Sequence, residues 1–332
     1  MKKHFILLLL FISLPVFAKS LPEVRLGVLK YGTVNWEIDV IKHHQLDKKY
    51  QFELKAVSLA SKNASLIALQ SHAVDIILSD WLWVNRQRFN DKTFTLFPTS
   101  IATGGLFVRA DLDIASIHAL KNKKIGIAGG AVDKNWLLLQ AYSKKRYAFD
   151  IHQESQPTFA TPPLINRLML RNDLTAAINF WHYGARLKAE GFELLITVAD
   201  MLTELGVDTQ LPLLGWVFDE TWAEQHPKEI TGFLKASLKA KQLLLSSDKE
   251  WQRIRPLTKA ESPEVFEALK KEYRAGILAQ FGRKEIEASK QVLKILAEQG
   301  GRALVGKAKY LSSGTFWLNN DLNFSLPKQP IE

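Results

Sequence analysis

The chain has 332 residues, no cysteine, and a formal charge of +10 from 44 lysines and arginines against 34 acidic residues. Without cysteine there are no disulfides, thiolate metal sites or thiol nucleophiles, and no lipid-attachment cysteine behind an export signal. The basic residues are scattered over amphipathic segments and form no dense run, which excludes a nucleic-acid footprint and reads as a solvated surface.

At the N-terminus Lys2 and Lys3 precede an uncharged apolar run from Phe5 to Val16, and Val16-Phe17-Ala18 offers a signal peptidase small or apolar side chains. This pattern predicts an export signal over residues 1–18, cleaved after Ala18. Its apolar core is too short to cross a bilayer core of about 30 Å as a helix, and no later stretch reaches about eighteen apolar residues. An exported chain without a tether is expected in a periplasm. Cleavage removes two lysines and leaves an excess of +8, 42 basic against 34 acidic residues. The roughly 310 residues that remain exceed what one core supports and predict two lobes.

Short apolar strands then alternate with helical patterns, the signature of parallel sheets built from βαβ units. Val24–Leu29 reads as the first strand, and the loop Tyr31-Gly32-Thr33-Val34-Asn35 leads into a helix through Trp36, Val40 and Ile41. Phe52–Val57 is a second strand, and Ser61 is placed to cap the helix that carries Leu66, Ala68 and Leu69. Val74–Leu78 is a third, followed by Ser79-Asp80-Trp81 opening a helix, and Phe94–Arg109 is a long extended stretch broken at Gly104-Gly105. The pattern restarts with strand Lys124–Ala128, the turn Gly129-Gly130, and a helix capped by Asp133. Helix Pro162–Arg171, strand Leu174–Asn179, strand Leu194–Val198 and the extended segment Leu211–Val217 complete it.

Two stretches are paired copies of one layout. Residues 68–77 and 168–177 each read as a helix end, a turn and a strand, with His72 and Asn172 at the helix stop where glycine is favoured. From Pro227 onward the texture is helical, with Pro227 and Pro263 in first turns and Gly300-Gly301 as a stop. The stripes Ile230, Phe233, Leu234, Leu238 and Val292, Leu293, Leu296 read as core.

In doubly wound sheets ligands sit beyond the carboxyl ends of strands. That rule selects Tyr31, Gly32, Thr33 and Trp36 after the first strand, and Ser79, Asp80 and Trp81 after the third. It adds Thr103 and Gly104 at the break, Gly130, Asp133 and Trp136 in the second half, and Asn179, Trp181 and His182 after its later strand. Trp36, Trp81, Trp136 and Trp181 each lie close to a strand end, with Trp83 and Trp216 near two more. Loop tryptophans bury in a core or stack on a ligand, and two or three of this group are expected to line a cleft. Asp80 and Asp133 read either as helix caps or as acceptors for an amine or amide. Gly129-Gly130-Ala131 could face an anion at a helix start but lacks the lysine of a phosphate loop.

Catalytic patterns are missing: there is no Gly-x-Ser-x-Gly elbow or His-Glu-x-x-His helix, and the adjacent His43-His44 point different ways on a helix. No metal and no cofactor are expected. His182 is the one histidine placed at a cleft, as a polar contact.

Arg25–Lys30 with Tyr31-Gly32, the Ala68-Leu69…Val74-Asp75 unit and Leu120–Ala128 resemble the nitrate, sulfonate, taurine and thiamine-precursor (thiamine pyrimidine synthase-like) binding proteins of ABC importers, over roughly Glu23 to Val217. The resemblance implies an α/β, type II periplasmic binding protein fold: two doubly wound lobes, a two-crossing hinge and a helical C-terminal region. Lobe 1 would span 22–105 plus 212–325 and lobe 2 106–211, with crossings near Ala102–Phe107 and Asp208–Leu214. It also implies a monomer that takes a small-molecule ligand and hands it to membrane permease subunits. Asn122 and His72 stand where the family usually has glycine, and its arginine-centred anion site cannot be placed in these loops. A planar, aromatic-stacking organic ligand is therefore favoured, with sulfonates and pyrimidine-like compounds among the candidates. The alternatives are a secreted dehydratase or lyase using His182, Asp80 or Asp133, and a ligand-sensing partner of a membrane receptor.

Overall fold

The computed structural model of the chain describes residues 20–30 and 32–318. The expected export signal with its cleavage point, and the candidate site residue Tyr31, lie outside the described residues.

Ten strands are present among these residues: β1 (Glu23–Leu29), β2 (Glu53–Leu59), β3 (Ile76–Asp80), β4 (Phe94–Ser100), β5 (Gly105–Val108), β6 (Lys124–Ala128), β7 (Gln156–Ala160), β8 (Ala176–Asn179), β9 (Glu193–Thr197) and β10 (Leu214–Asp219). They form two sheets, ordered β2-β1-β3-β10-β4 and β7-β6-β8-β5-β9. In each, the first three strands are parallel, and the fourth runs antiparallel to both its neighbours. That fourth strand comes from across a crossing. Chain leaving β4 enters the second sheet as β5, and chain leaving the helix Val198–Glu204 returns to the first sheet as β10. Both arrive at the carboxyl ends of the parallel strands, Gly105 opposite Asn179 and Leu214 opposite Asp80. The two sets of strand ends therefore face each other across the hinge. Gly105–Phe107, expected within the first crossing, already pairs in the second sheet.

The paired segments fold alike in detail. His72 (φ 57°) and Asn172 (φ 61°) both take the left-handed conformation at the helix stop. The residue after each closes the turn, Ala73 N–H onto the Ala68 carbonyl and Asp173 N–H onto the Leu168 carbonyl, both at 2.9 Å. Central glycines accept the next side chain: a Cβ on Gly27 would lie 3.1 Å from Val74, and one on Gly126 2.6 Å from Leu174. The third strand begins two residues later than its apolar run suggests, because Asp75 instead accepts from the Arg25 backbone N–H (2.7 Å) and guanidinium Nε (3.1 Å). Strand β7 was not legible, since Pro157 and exposure along an edge hide its alternation.

Helices cover both faces of each sheet. Helices Val34–His43, Pro227–Ser246, Asp248–Thr258 and Pro263–Ala275 pack on one face of the first sheet, and Arg283–Val305 covers the other. The expected stop at Gly300-Gly301 is a kink: Gly301 is non-helical (φ 51°, ψ −152°) and the helix resumes to Val305. At Gly300 the missing side chain admits Leu137 of the second lobe, whose Cδ1 would lie 2.8 Å from a Cβ. Leu137, Leu138, Val198 and Leu202 join the core on that face, so the apolar interior runs from one lobe into the other.

Adding a methyl where the central strands are tightest should cost stability. Gly126→Ala is expected to lose about 1–3 kcal/mol, more than Gly27→Ala, read as a lower midpoint in urea with an unchanged slope.

Candidate functional site

The facing strand ends bring together most of the expected loops, and the structure sorts their residues. Trp36, Trp81 and Trp136 are buried in the cores and are not available for stacking, which corrects their individual place among the expected site residues. Each stands in the first turn of a helix lying on its sheet, where the core-facing stripe already begins. Trp36 also spends its Nε1–H on the Leu257 carbonyl at 3.2 Å. Trp83 is buried as well; Trp216, also buried, lines the smaller of two cavities together with Trp181.

Trp181 differs. It opens the helix Trp181–Ala189 of the second lobe, yet its ring meets Trp36 and Tyr273 of the first, with centroids 6.1 Å away in both cases. The approach depends on Gly104, whose Cβ would stand 2.1 Å from the Asn179 carbonyl and 3.0 Å from the Trp181 nitrogen at a φ of +106°. Asn179 itself is structural: its amide donates to the Pro162 carbonyl and Asn166 and accepts from the Phe180 N–H. Gly32 forms the turn whose carbonyl accepts from Asn35. Gly130 is exposed, and a Cβ there would touch nothing within 4 Å.

Trp181 walls two cavities. The smaller, about 60 Å³, lies in the first lobe beneath the indole; its walls are mostly apolar, with Leu78, Trp216 and Ile277 beside Thr33, Glu37, Lys241 and Tyr273. The larger, about 200 Å³, lies along both crossings and is lined by Thr103, Gly104, Phe107, Gln210 and Glu272 among others. At the wall of the small cavity a buried chain of polar groups is linked: Trp216 donates to Ser237, Ser237 to Glu37, and Lys241 Nζ pairs with Glu37 Oε2 at 2.8 Å. The Tyr273 hydroxyl is buried there without a partner. Burial, with Glu37 nearby, pushes its pKa well above the usual tyrosine value, so it stays protonated.

Glu37, Lys241 and Tyr273 were missed in the sequence. The available signal was a charge on an apolar stripe: Glu37 beside Trp36 and Val40, and Lys241 in register with Leu234 and Ser237.

A second cluster bridges the lobes. Asp80 caps its helix through Oδ1, which accepts from the Trp83 N–H at 2.9 Å. Its Oδ2 meets Lys62 of the same lobe at 2.8 Å and Lys134 of the other at 3.2 Å. Burial works to raise the Asp80 carboxyl, but the two lysines and the Trp83 N–H outweigh it and hold it far below the usual carboxylate range. Asp133 caps through Oδ1 to the Asn135 and Trp136 N–H groups, and burial raises its pKa despite the same lysines. The Ser79 hydroxyl, one residue before Asp80 in the strand, is buried without a partner. Further contacts close the cleft: Asn135 donates to the Thr103 carbonyl at 3.1 Å, and Arg186 pairs with Glu261 and reaches the Thr258 carbonyl.

His182 lies against Trp181 and Tyr183 of its own helix, with its Nδ1 buried without a partner. Burial, with Arg186 as a lesser cause, pushes its pKa from the ordinary 6.5 down to about 3. The unfolded chain takes a proton below about pH 6.5 that the native state refuses, so native stability falls as pH drops from there toward 3. The expected slope from this group is at most about 1.4 kcal/mol per pH unit. His182→Gln should flatten it between pH 6.5 and 5 in denaturant melts; an unchanged slope would rule the assignment out.

Comparison of the sequence with protein-family models and with curated proteins gives no match. Solved structures do match. The periplasmic aliphatic sulphonate binding protein of Escherichia coli aligns over 94% of this chain and 99% of its own, with a TM-score of 0.69 and 16% identity. The alkanesulfonate-binding protein of Xanthomonas axonopodis pv. citri, solved with MOPS, aligns over 90% and 99% with a TM-score of 0.66 and 15% identity. The periplasmic nitrate-binding protein of Synechocystis PCC 6803 aligns over 76% and 69%, with a TM-score of 0.55 and 12% identity. The chain is thus built on the fold of these periplasmic binding proteins, as its sequence resemblance implied.

Proposed function

We propose that the chain is the periplasmic solute-binding component of an ABC importer. Exported through residues 1–18 and acting as a monomer, it would hold a small organic molecule between lobe 1 (22–105 plus 212–325) and lobe 2 (106–211) and present it to permease subunits. The observation that carries this reading is Trp181, an indole from one lobe laid over a mostly apolar cavity of the other into which Glu37, Lys241 and Tyr273 bring polar groups.

The chemistry around that ring favours a flat solute with a hydrogen-bonding head. The indole offers an apolar face. The Tyr273 hydroxyl is a protonated donor with nothing to bind, and a solute carbonyl or ring nitrogen would satisfy it. Glu37 and Lys241 cancel each other's charge, so a charged head would be buried there without a counter-ion. Neither cavity reaches the roughly 300 Å³ at which small-molecule sites begin, and both share Trp181 as a wall. Admitting a solute therefore requires the indole to shift and the lobes to part at the two crossings. The solute can bias closure only by its differential affinity for the closed form. Of the three groups that a catalytic reading would use, Asp80 is locked ionised and His182 locked neutral near pH 7, while Asp133, whose pKa burial raises, is engaged in capping its helix.

The test is a thermal-shift panel on the chain from Lys19 onward, with pyrimidines, aromatic and aliphatic sulfonates, amines and small carboxylates. A solute at about a hundred times its dissociation constant should add roughly 2.7 kcal/mol, several degrees in the melt. A hit recovered unchanged supports transport, and one converted to product supports a dehydratase or lyase instead. No shift across the panel would sink the reading. Tyr273→Phe is expected to leave unliganded stability within roughly 0.5 kcal/mol, because its hydroxyl has no partner to lose, while weakening a true solute about fivefold.

A further inference from the structure

Two lysines from opposite lobes meet on a single carboxylate oxygen. Lys62 and Lys134 both contact Asp80 Oδ2, while Oδ1 is held by the Trp83 N–H. Two ammonium groups and a backbone N–H at this spacing are what a buried oxyanion needs, because charge-assisted hydrogen bonds replace the water it gives up. The protein supplies that anion itself: the Asp80 side chain is 5% exposed in the middle of the cluster.

We propose that Asp80 is a specificity-determining residue of the cleft. Its carboxylate occupies the cationic position formed when the lobes close, so sulfate, sulfonate or nitrate finds that position filled, and solutes without a strongly acidic group are selected. The inference rests on the solute-binding reading and adds to it the class of ligand refused. Asp133 faces the same two lysines, so removing only the Asp80 charge leaves one positive charge in excess. Asparagine keeps the helix cap, since it serves as well as aspartate at that position.

The experiment titrates inorganic sulfate and methanesulfonate into the wild type and Asp80→Asn by calorimetry at fixed ionic strength, with chloride as the control. The wild type should show no saturable binding of either anion. Asp80→Asn should bind sulfate at least about tenfold more tightly than the wild type, equivalent to about 1.4 kcal/mol. Adding Lys134→Met should abolish the gain. Asp80→Ser, which also keeps a capping oxygen, serves if the asparagine variant does not fold. Saturable sulfonate binding by the wild type overturns the proposal and needs no variant. A cooperatively melting Asp80→Asn protein with no gain overturns it too. If the variant gains sulfate while no solute on the wider panel binds the wild type, the solute-binding reading fails and the specificity role of Asp80 falls with it, leaving only that its carboxylate fills a cationic position. The reverse pattern, a panel hit with no gain, separates the two the other way.

Discussion

Each sheet is completed by a strand that arrives from the other lobe, and the geometry of the whole molecule depends on that exchange. A strand entering antiparallel at the carboxyl edge forces the crossing to sit where the parallel strands end. Gly105 opposite Asn179 and Leu214 opposite Asp80 are the hydrogen-bonding registers that enforce it. The loops with most freedom to carry polar and aromatic groups are therefore gathered on both sides of one gap. The cleft is a consequence of strand pairing before any side chain is chosen.

Within that gap, two devices of different character lie close together. Around Trp181 the forces are apolar, with the edge-to-face cluster of Trp36, Trp251 and Tyr273 forming a rigid floor. Around Asp80 they are ionic and sheltered from water, so the bridge to Lys134 is screened less by salt than an exposed pair would be. Opening the lobes must undo both. On the proposed reading a solute would compete with contacts the protein makes to itself, and its affinity would report the difference between the two sets.

The sequence made the architecture legible where a local rule decides geometry. Ser61, Asp80 and Asp133 cap helices because a short polar side chain can reach the N–H two or three residues on. His72 and Asn172 mark helix stops for an equally local reason. Side-chain direction at Trp36, Trp81 and Trp136 was not legible. A residue in the first turn of a helix points to the core or to the gap according to how that helix is rotated on its sheet, and packing sets the rotation. The pocket beneath Trp181 was hidden for a different reason: Glu37 finds Ser237 two hundred positions away, and only the completed C-terminal helices bring them together.

The exchange also orders the birth of the molecule. The second sheet is made of consecutive strands, β5 to β9, and can form as soon as that stretch emerges. The first cannot, because β3 and β4 do not touch until β10 slides between them. A chain crossing a membrane from its N-terminus would hold β1 to β4 as unfinished edges while the whole of the other lobe emerges behind them. Unpaired edges of this kind invite pairing with other chains. On this topology the half that appears first is the half completed last, and the two crossings that join the sheets are also what brings its final strand into place.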